Sequence, residues 1–358
     1  MDDAKKSEKT VFCTIVPPHV LDRLAQSEDA RFHEPARRTL EHDGALRTRR
    51  RITAIRSVYA DSSAAGTPSD GPQRTIYDAG HREVLPGKKV HAEGDAPAED
   101  ATVNRAHAGL GATFDLYSKV YGRHSIDDAG LPLDATVHYG RDYCNAFWDG
   151  ERMVFGDGDN DTFVDFTVSV DVIGHELTHG VVQHTANLEY YGQSGALNES
   201  CADVFGSLIK QYALGQSADQ ADWLIGAGLL GPGVDKGTAL RSMKAPGTAY
   251  DDDVLGKDPQ PATMEDYVRT NRDNGGVHIN SGIPNHAFYR LATALGGNAW
   301  ERAGKIWYAT LTGGELSSDA DFAEFARLTV ASARSLYGDG DAVQAVLKAW
   351  GQVGVATT

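Results

Sequence analysis

A chain of 358 residues is longer than one core usually spans, so two or three folded units are expected. Hydrophobic residues make up 41% of it, enough for globular cores, while a net charge of −16 argues against nucleic acid or an anionic membrane as partner. The charge is uneven: residues 1–51 hold 11 Lys and Arg against 9 Asp and Glu, so a slightly basic N-terminal part precedes an acidic body.

Residues 1–13 lack a long apolar stretch, so no conventional signal peptide is visible. No run is apolar enough to span a bilayer. Residues 11–16, Val11-Phe12-Cys13-Thr14-Ile15-Val16, read as a strand with Cys13 as a core residue. Pro17-Pro18 follows, then a helix with Val20, Leu21 and Leu24 on one face; proline suits a first helical turn because its missing N–H is not needed there. Residues 28–51 are charged and helical in character, and residues 60–73 are small and polar, which marks a linker. Residues 74–168 alternate apolar and polar in short runs, at 74–78, 136–139 and 152–155, which read as antiparallel strands with one helix near 101–121. From 169 onward helices dominate, over 171–186, 196–213, 281–295, 299–311, 319–336 and 341–350. Gly338 and Gly351 act as stop signals. Cys13, Cys144 and Cys201 are too few and too odd in number for a disulfide framework, and Cys201 reads as a buried free thiol.

The helix expected at 171–186 carries His175-Glu176-Leu177-Thr178-His179. Residues four apart share a helix face, so His175 and His179 can hold one metal ion from one side, with Glu176 beside it as general base toward water. Glu199, on a second amphipathic segment, supplies a third ligand and leaves one position open to water. Asp203, one turn on, can reach the free ring nitrogen of a ligand histidine. The competing reading is two core histidines plus a solvated glutamate.

The stretch 171–206 closely resembles the thermolysin-like zinc metalloproteases. Asn145-Ala146-Phe147-Trp148, Gly156-Asp157-Gly158-Asp159, Leu240-Arg241-Ser242-Met243 and the run from Asp273 to Gly282 extend the match in the family's order. The resemblance implies an α+β, two-lobed fold, with a β-rich lobe and a helical lobe joined by the zinc helix. It implies one zinc ion and a neutral endopeptidase cutting on the amino side of bulky apolar residues of peptide or protein substrates. It further implies His278 and Tyr190 as donors to the attacked oxygen, and Asp273 as orienter of His278. Asn145, the Ala146 carbonyl and Arg241 would grip substrate backbone; Phe163, Phe166, Val172, Ile225 and Leu240 would line the apolar pocket. A structural salt bridge for Arg241 and a packed aromatic for Tyr190 stay open as alternatives. Asp171 and Asp222 stand at calcium-ligand positions, but Lys210, Leu224 and Ala227 replace their acidic partners, so no calcium is expected. Residues 156–159 read as a turn with capping aspartates.

The N-terminal unit resembles the short propeptide of the protealysin-like branch, whose proline motif, here Pro17, Pro18 and Leu21, occupies the cleft. The expected division is an inhibitory propeptide at 1–51, a linker and processing region at 52–73, a β-rich catalytic lobe with the zinc helix at 74–186, and a helical catalytic lobe at 187–358. Two modes of inhibition are open: Cys13 as a zinc-bound thiolate, or Pro17, Pro18 and Leu21 filling the pocket. The second is favoured on the sequence, because Cys13 lies in an apolar run. A monomer is expected. The resemblance implies secretion, by another route or with an upstream segment; a cytoplasmic precursor stays open. A non-catalytic binding protein on the same scaffold is the alternative function.

Overall fold

The computed structural model describes residues 13–57 and 71–357, with backbone alone over 47–57. Val11, Phe12 and most of the expected linker lie outside the described residues. Residues 13–16 form no regular strand; one backbone hydrogen bond, from the Ile15 N–H to the Ala146 carbonyl, ties them to the body. Pro17 caps and Pro18 opens α1 (Pro18–Leu24), with Val20, Leu21 and Leu24 buried. Helix α2 (Ala30–Ser57) follows and runs on past Arg51.

Strands β1 (Arg74–Arg82) and β2 (Lys88–Ala92) form a hairpin. Helix α3 (Ala101–Tyr121) starts where the Asp100 side chain accepts from the Thr102 N–H and ends at Gly122, which is left-handed at φ 69°. Strands β3 (Leu133–Tyr139), β4 (Ala146–Trp148) and β5 (Arg152–Phe155) complete a five-stranded sheet in the order β2-β1-β3-β5-β4. The expectation of antiparallel strands is corrected here. Only β1–β2 and β4–β5 are antiparallel; β3 runs parallel to both β1 and β5. Parallel neighbours need a crossover, and α3 supplies it between β1 and β3. Strand β4 is left at the sheet edge, with backbone groups free to pair outward.

Helices α4 (Val170–Gln183) and α5 (Gly192–Leu214) form the centre. Twelve of the fourteen α4 residues are buried, so it is wrapped on all sides rather than half-exposed. Short ribbons β6 (Leu224–Ile225) with β7 (Arg241–Ser242), and β8 (Asp251–Asp252) with β9 (Gly256–Lys257), follow. The helical lobe closes with α6 (Asp273–Asn280), α7 (Gly282–Leu295), α8 (Arg302–Thr312), α9 (Phe322–Tyr337) and α10 (Asp341–Gln352). Its core includes Trp307 stacked on Trp350, ring centroids 5.7 Å apart. Among the described residues, no helix is long and apolar enough to cross a membrane.

Helices α4 and α5 cross backbone to backbone. A Cβ on Gly206 would sit 2.6 Å from the Asp171 carbonyl oxygen and 3.1 Å from the His175 amide nitrogen. Only glycine allows that approach. Gly206→Leu should therefore lower the thermal midpoint by the equivalent of about 1–3 kcal/mol of overpacking. It should also weaken metal uptake, because α5 carries Glu199; an unchanged midpoint and metal content would refute the close crossing.

Candidate active site

Three buried donors converge from α4 and α5. His175 Nε2 lies 3.1 Å from His179 Nε2, and Glu199 lies 3.7 Å from the first ring and 3.6 Å from the second. A tetrahedral zinc with ligands near 2.0–2.3 Å sets its donors about 3.3–3.8 Å apart. The tautomers fit as well. His175 Nδ1 is 2.8 Å from Asp203 Oδ1, and His179 Nδ1 is 2.9 Å from Asn198 Oδ1. Both acceptors fix the ring proton on Nδ1, so two Nε2 lone pairs face one point and repel unless a cation lies between them. Glu199 Oε2 is buried with no hydrogen-bond partner among the described residues. The donor set fits zinc.

Electrostatics favour the ligand forms. Burial pushes His179 down to about 4, so it is neutral at pH 7. Burial works to raise Glu199, but His278, His179, His175 and Arg241 outweigh it and hold the carboxyl at about 2. Asp203 is likewise raised by burial but held low by Arg241 and His175. Arg241 grips Asp203 through both Nε and Nη2 at 2.9 Å, and the Asn285 amide donates to the same carboxylate at 2.8 Å.

Glu176 is fully buried, and its Oε2 accepts from the Trp148 N–H at 3.2 Å. The left-handed run Asp273-Asn274-Gly275-Gly276, φ from 50° to 87°, turns α6 so that His278 faces the metal donors. Asp273 holds His278 twice, Oδ1 to ring Nδ1 at 2.6 Å and Oδ2 to the backbone N–H at 2.9 Å. Burial works to lower His278, yet Asp273 and Glu199 outweigh it and raise it above the usual histidine value. The Tyr190 hydroxyl is 3.2 Å from that Nε2 and donates to Glu199. Phe163, Phe166, Val172, Ile225 and Leu240, expected to line the apolar pocket, are all buried, with Ile225 paired to Arg241 across β6–β7.

The N-terminal segment lies along the site, hydrogen-bonded to Ala146, Asn145 and Arg241. The Ile15 N–H donates to the Ala146 carbonyl on edge strand β4 at 3.1 Å. Arg241 Nη1 donates to the Ile15 carbonyl at 3.1 Å, and the Val16 N–H donates to Asn145 Oδ1 at 3.0 Å. Asn145, Ala146 and Arg241 thus grip Ile15 and Val16. Arg241 both donates to the Ile15 carbonyl and pairs with Asp203. Pro17 and Pro18 then lead the chain into α1; Pro18 lines one cavity with Tyr190 and His278, and the buried Leu21 belongs to the same apolar cluster as Phe163, Phe166, Val172, Ile225 and Leu240. Cys13 is buried, as a core residue would be, but it faces the site. Its Sγ lies 2.8 Å from Glu199 Oε1, 2.9 Å from the Tyr190 hydroxyl and 3.7 Å from His278 Nε2. Cys201, by contrast, is buried within α5 as expected.

Sequence reasoning missed Asn198, Asn285 and Asp43. Asn198 directly precedes a proposed ligand, which was a usable signal; Asn285 and Asp43 are distant in sequence and gave none. Asp43 accepts from the Tyr143 hydroxyl at 2.6 Å and from Asn145 Nδ2 at 3.1 Å, which fixes the orientation of the Asn145 amide.

Away from the cleft, Lys210 Nζ lies 2.7 Å from Asp171, 2.9 Å from Asp222 and 2.7 Å from the Leu224 carbonyl. Asp159 Oδ1 accepts from the N–H groups of Asp161, Thr162 and Phe163, the capping turn expected. His138 sits between Asp157 at 2.9 Å and Asp100 at 2.8 Å, and His81 also reaches Asp157 at 3.1 Å.

Two conserved-domain descriptions match: thermolysin metallopeptidase, catalytic domain, over residues 59–183, and thermolysin metallopeptidase, alpha-helical domain, over residues 186–355. The chain is 49% identical to an extracellular metalloprotease of Pectobacterium carotovorum subsp. carotovorum, over 96% of each protein. It is 41% identical to a thermolysin of Alicyclobacillus acidocaldarius subsp. acidocaldarius, over 78% of this chain and 50% of that one. The solved structure of the precursor of protealysin, a metalloproteinase from Serratia proteamaculans, superposes with a TM-score of 0.86 at 50% identity, over 96% of this chain and 100% of that one. Fold and site together define a two-lobed metallopeptidase. The chain belongs to the thermolysin (M4) family and is a zinc-dependent neutral metalloendopeptidase in precursor form.

Two predictions follow from the side clusters. Lys210→Met leaves Asp171 buried without its counter-charge and should cost about 3–5 kcal/mol in a urea titration. Added calcium should leave the wild-type midpoint in place, and a calcium-raised midpoint would show that a cation other than Lys210 is needed. For His138, the hydrogen bond to Asp157 and then Asp100 outweigh burial and raise it from 6.5 to about 9. A raised folded value adds stability that is fully present below the unfolded value and is lost as pH rises through about 9. The midpoint difference between wild type and His138→Gln should therefore shrink between pH 7 and pH 10; a constant difference would refute the ion pairing.

Proposed function

We propose that the protein hydrolyses peptide bonds on the amino side of bulky hydrophobic residues, with His175, His179 and Glu199 holding one zinc ion. The observation that carries this reading is the convergence of two Nε2 lone pairs and an orphaned Glu199 oxygen on one point. Zinc held there supplies Lewis acidity, acidifying water and polarising the carbonyl under attack. Glu176, fixed by the Trp148 N–H, accepts the proton of the attacking water and passes it to the leaving nitrogen. The Tyr190 hydroxyl and His278 Nε2 donate to the oxygen on which negative charge builds, and Asp273 holds His278 in place. Asn145, the Ala146 carbonyl and Arg241 align the substrate chain along β4. Phe163, Phe166, Val172, Ile225 and Leu240 receive the side chain after the cut.

Residues 1–51 act as the inhibitory unit, and 52–73 as the processing region. The Arg51–Ile52 and Ala54–Ile55 bonds each place an apolar residue after the cut, in a stretch that the backbone carries as the end of α2. A cleft that binds extended chain needs those turns to open first. The alternative of a non-catalytic binding protein is disfavoured because no member of the site is missing. The mature enzyme acts as a secreted monomer without calcium, in keeping with the extracellular name of its Pectobacterium relative.

Glu176→Gln should retain zinc and lose activity on casein by about 10²–10⁴-fold. Glu199→Gln should lose the zinc itself, read by metal analysis. The Glu176 variant should also stay unprocessed when purified free of other proteases. Near-normal turnover by that variant would overturn the mechanism.

A further inference from the structure

The precursor brings a fourth donor to the metal site. Cys13 Sγ, the facing ring nitrogens of His175 and His179 and a Glu199 oxygen all lie within 4.8 Å of one another, and all four residues are buried. Zinc favours four donors, and thiolate sulfur is among its preferred ones. What surrounds the sulfur is the chemistry of the site rather than a core: a carboxylate, a phenol and an imidazole. A cysteine placed for packing would have aliphatic neighbours.

The backbone leaves the sulfur little freedom. Ile15 is held on both its N–H and its carbonyl, and Val16 on its N–H, by Ala146, Arg241 and Asn145. Pro17, at φ −61°, stiffens the exit. The segment therefore lies along β4 as a substrate would. The group presented at the reacting position is a thiol instead of a peptide carbonyl, and Tyr190 and His278 both face it.

We propose that Cys13 closes the zinc coordination of the precursor as a thiolate, taking the fourth position from water. This rests on the zinc-protease reading above. On binding, the thiol proton goes to solvent, one sulfur–metal bond forms and one water leaves. Latency then has two independent parts: a steric plug along β4 and a sulfur lock on the metal. A cavity of about 90 Å³, lined by Cys13, Thr14, Pro18, Tyr190, Asp273, Asn274 and His278, adjoins the sulfur. Small thiol-binding reagents such as mercuric salts can enter by it and release the metal position before any peptide bond is cut. Mercury takes the sulfur, the thiol proton is already lost, and water re-enters.

The test uses the full chain carrying Glu176→Gln, so that it stays intact, with cobalt(II) in place of zinc. A sulfur-to-cobalt charge-transfer band is expected in the near ultraviolet with one cobalt bound per chain. Cys13→Ser added to that chain should abolish the band while keeping cobalt bound and the thermal midpoint close. Pro18→Ala with Leu21→Ala should keep the band. In the chain with Glu176 intact, Cys13→Ser should self-process several-fold faster. Cobalt bound one to one without the band overturns this inference alone. Failure to bind cobalt at all overturns it together with the metalloprotease reading. A band that survives Cys13→Ser overturns it as well, because the sulfur would come from elsewhere.

Discussion

The site depends on two helices being allowed to touch without side chains between them. At Gly206 the backbone of α5 meets that of α4 between Asp171 and His175. Gly174 meets it from the α4 side, where an added Cβ would sit 3.2 Å from Gly206 Cα. Glu199 and the histidines come from different helices, and their separation is the interaxial distance less the reach of the side chains. An imidazole and a short carboxylate reach only a few ångströms. Any larger residue at the crossing would open the donor set beyond what one ion can bridge.

Around that crossing, Asp203 links three tasks. Its carboxylate orients His175, anchors Arg241 and is steadied by Asn285. Arg241 in turn holds the Ile15 carbonyl. Metal ligation and grip on the bound chain therefore share one buried carboxylate. Such a network is rigid because every charge in it is paired; a single neutralised member would leave a buried charge unbalanced.

Much of this was legible in the sequence, for reasons that can be named. The seven helices expected from 101 onward lie within a few residues of expectation, because 3.6-residue periodicity and the Gly338 stop are local signals; α6 was not expected, and α10 runs on through Gly351 to Gln352. The zinc motif was legible because helical spacing alone puts His175 and His179 together. Strand direction was not: β3 joins β1 and β5 in parallel through a crossover that no local pattern encodes. Strands β2 and β4 escaped notice because one is largely exposed and the other is three residues long. Asp43 and Asn285 became neighbours of the site only through tertiary folding. The backbone contacts of Ile15 and Val16 with Ala146, Arg241 and Asn145 have no sequence signature, because any residue but proline offers the same N–H and carbonyl.

The N-terminal unit holds Asn145 from two sides, Val16 on the amide oxygen and Asp43 on the amide nitrogen, and pins the body again through Thr39 to the Cys144 N–H at 3.0 Å and Arg38 to Asp142 at 2.8 Å. While the chain is continuous these contacts act at the high local concentration that a tether imposes. Severing the tether removes none of them. It converts an internal partner into a separate molecule whose rebinding depends on how dilute the solution is. Cutting and switching on are therefore distinct events, and the delay between them is set by volume: short in open medium, long in a confined space where the freed fragment stays near its former partner.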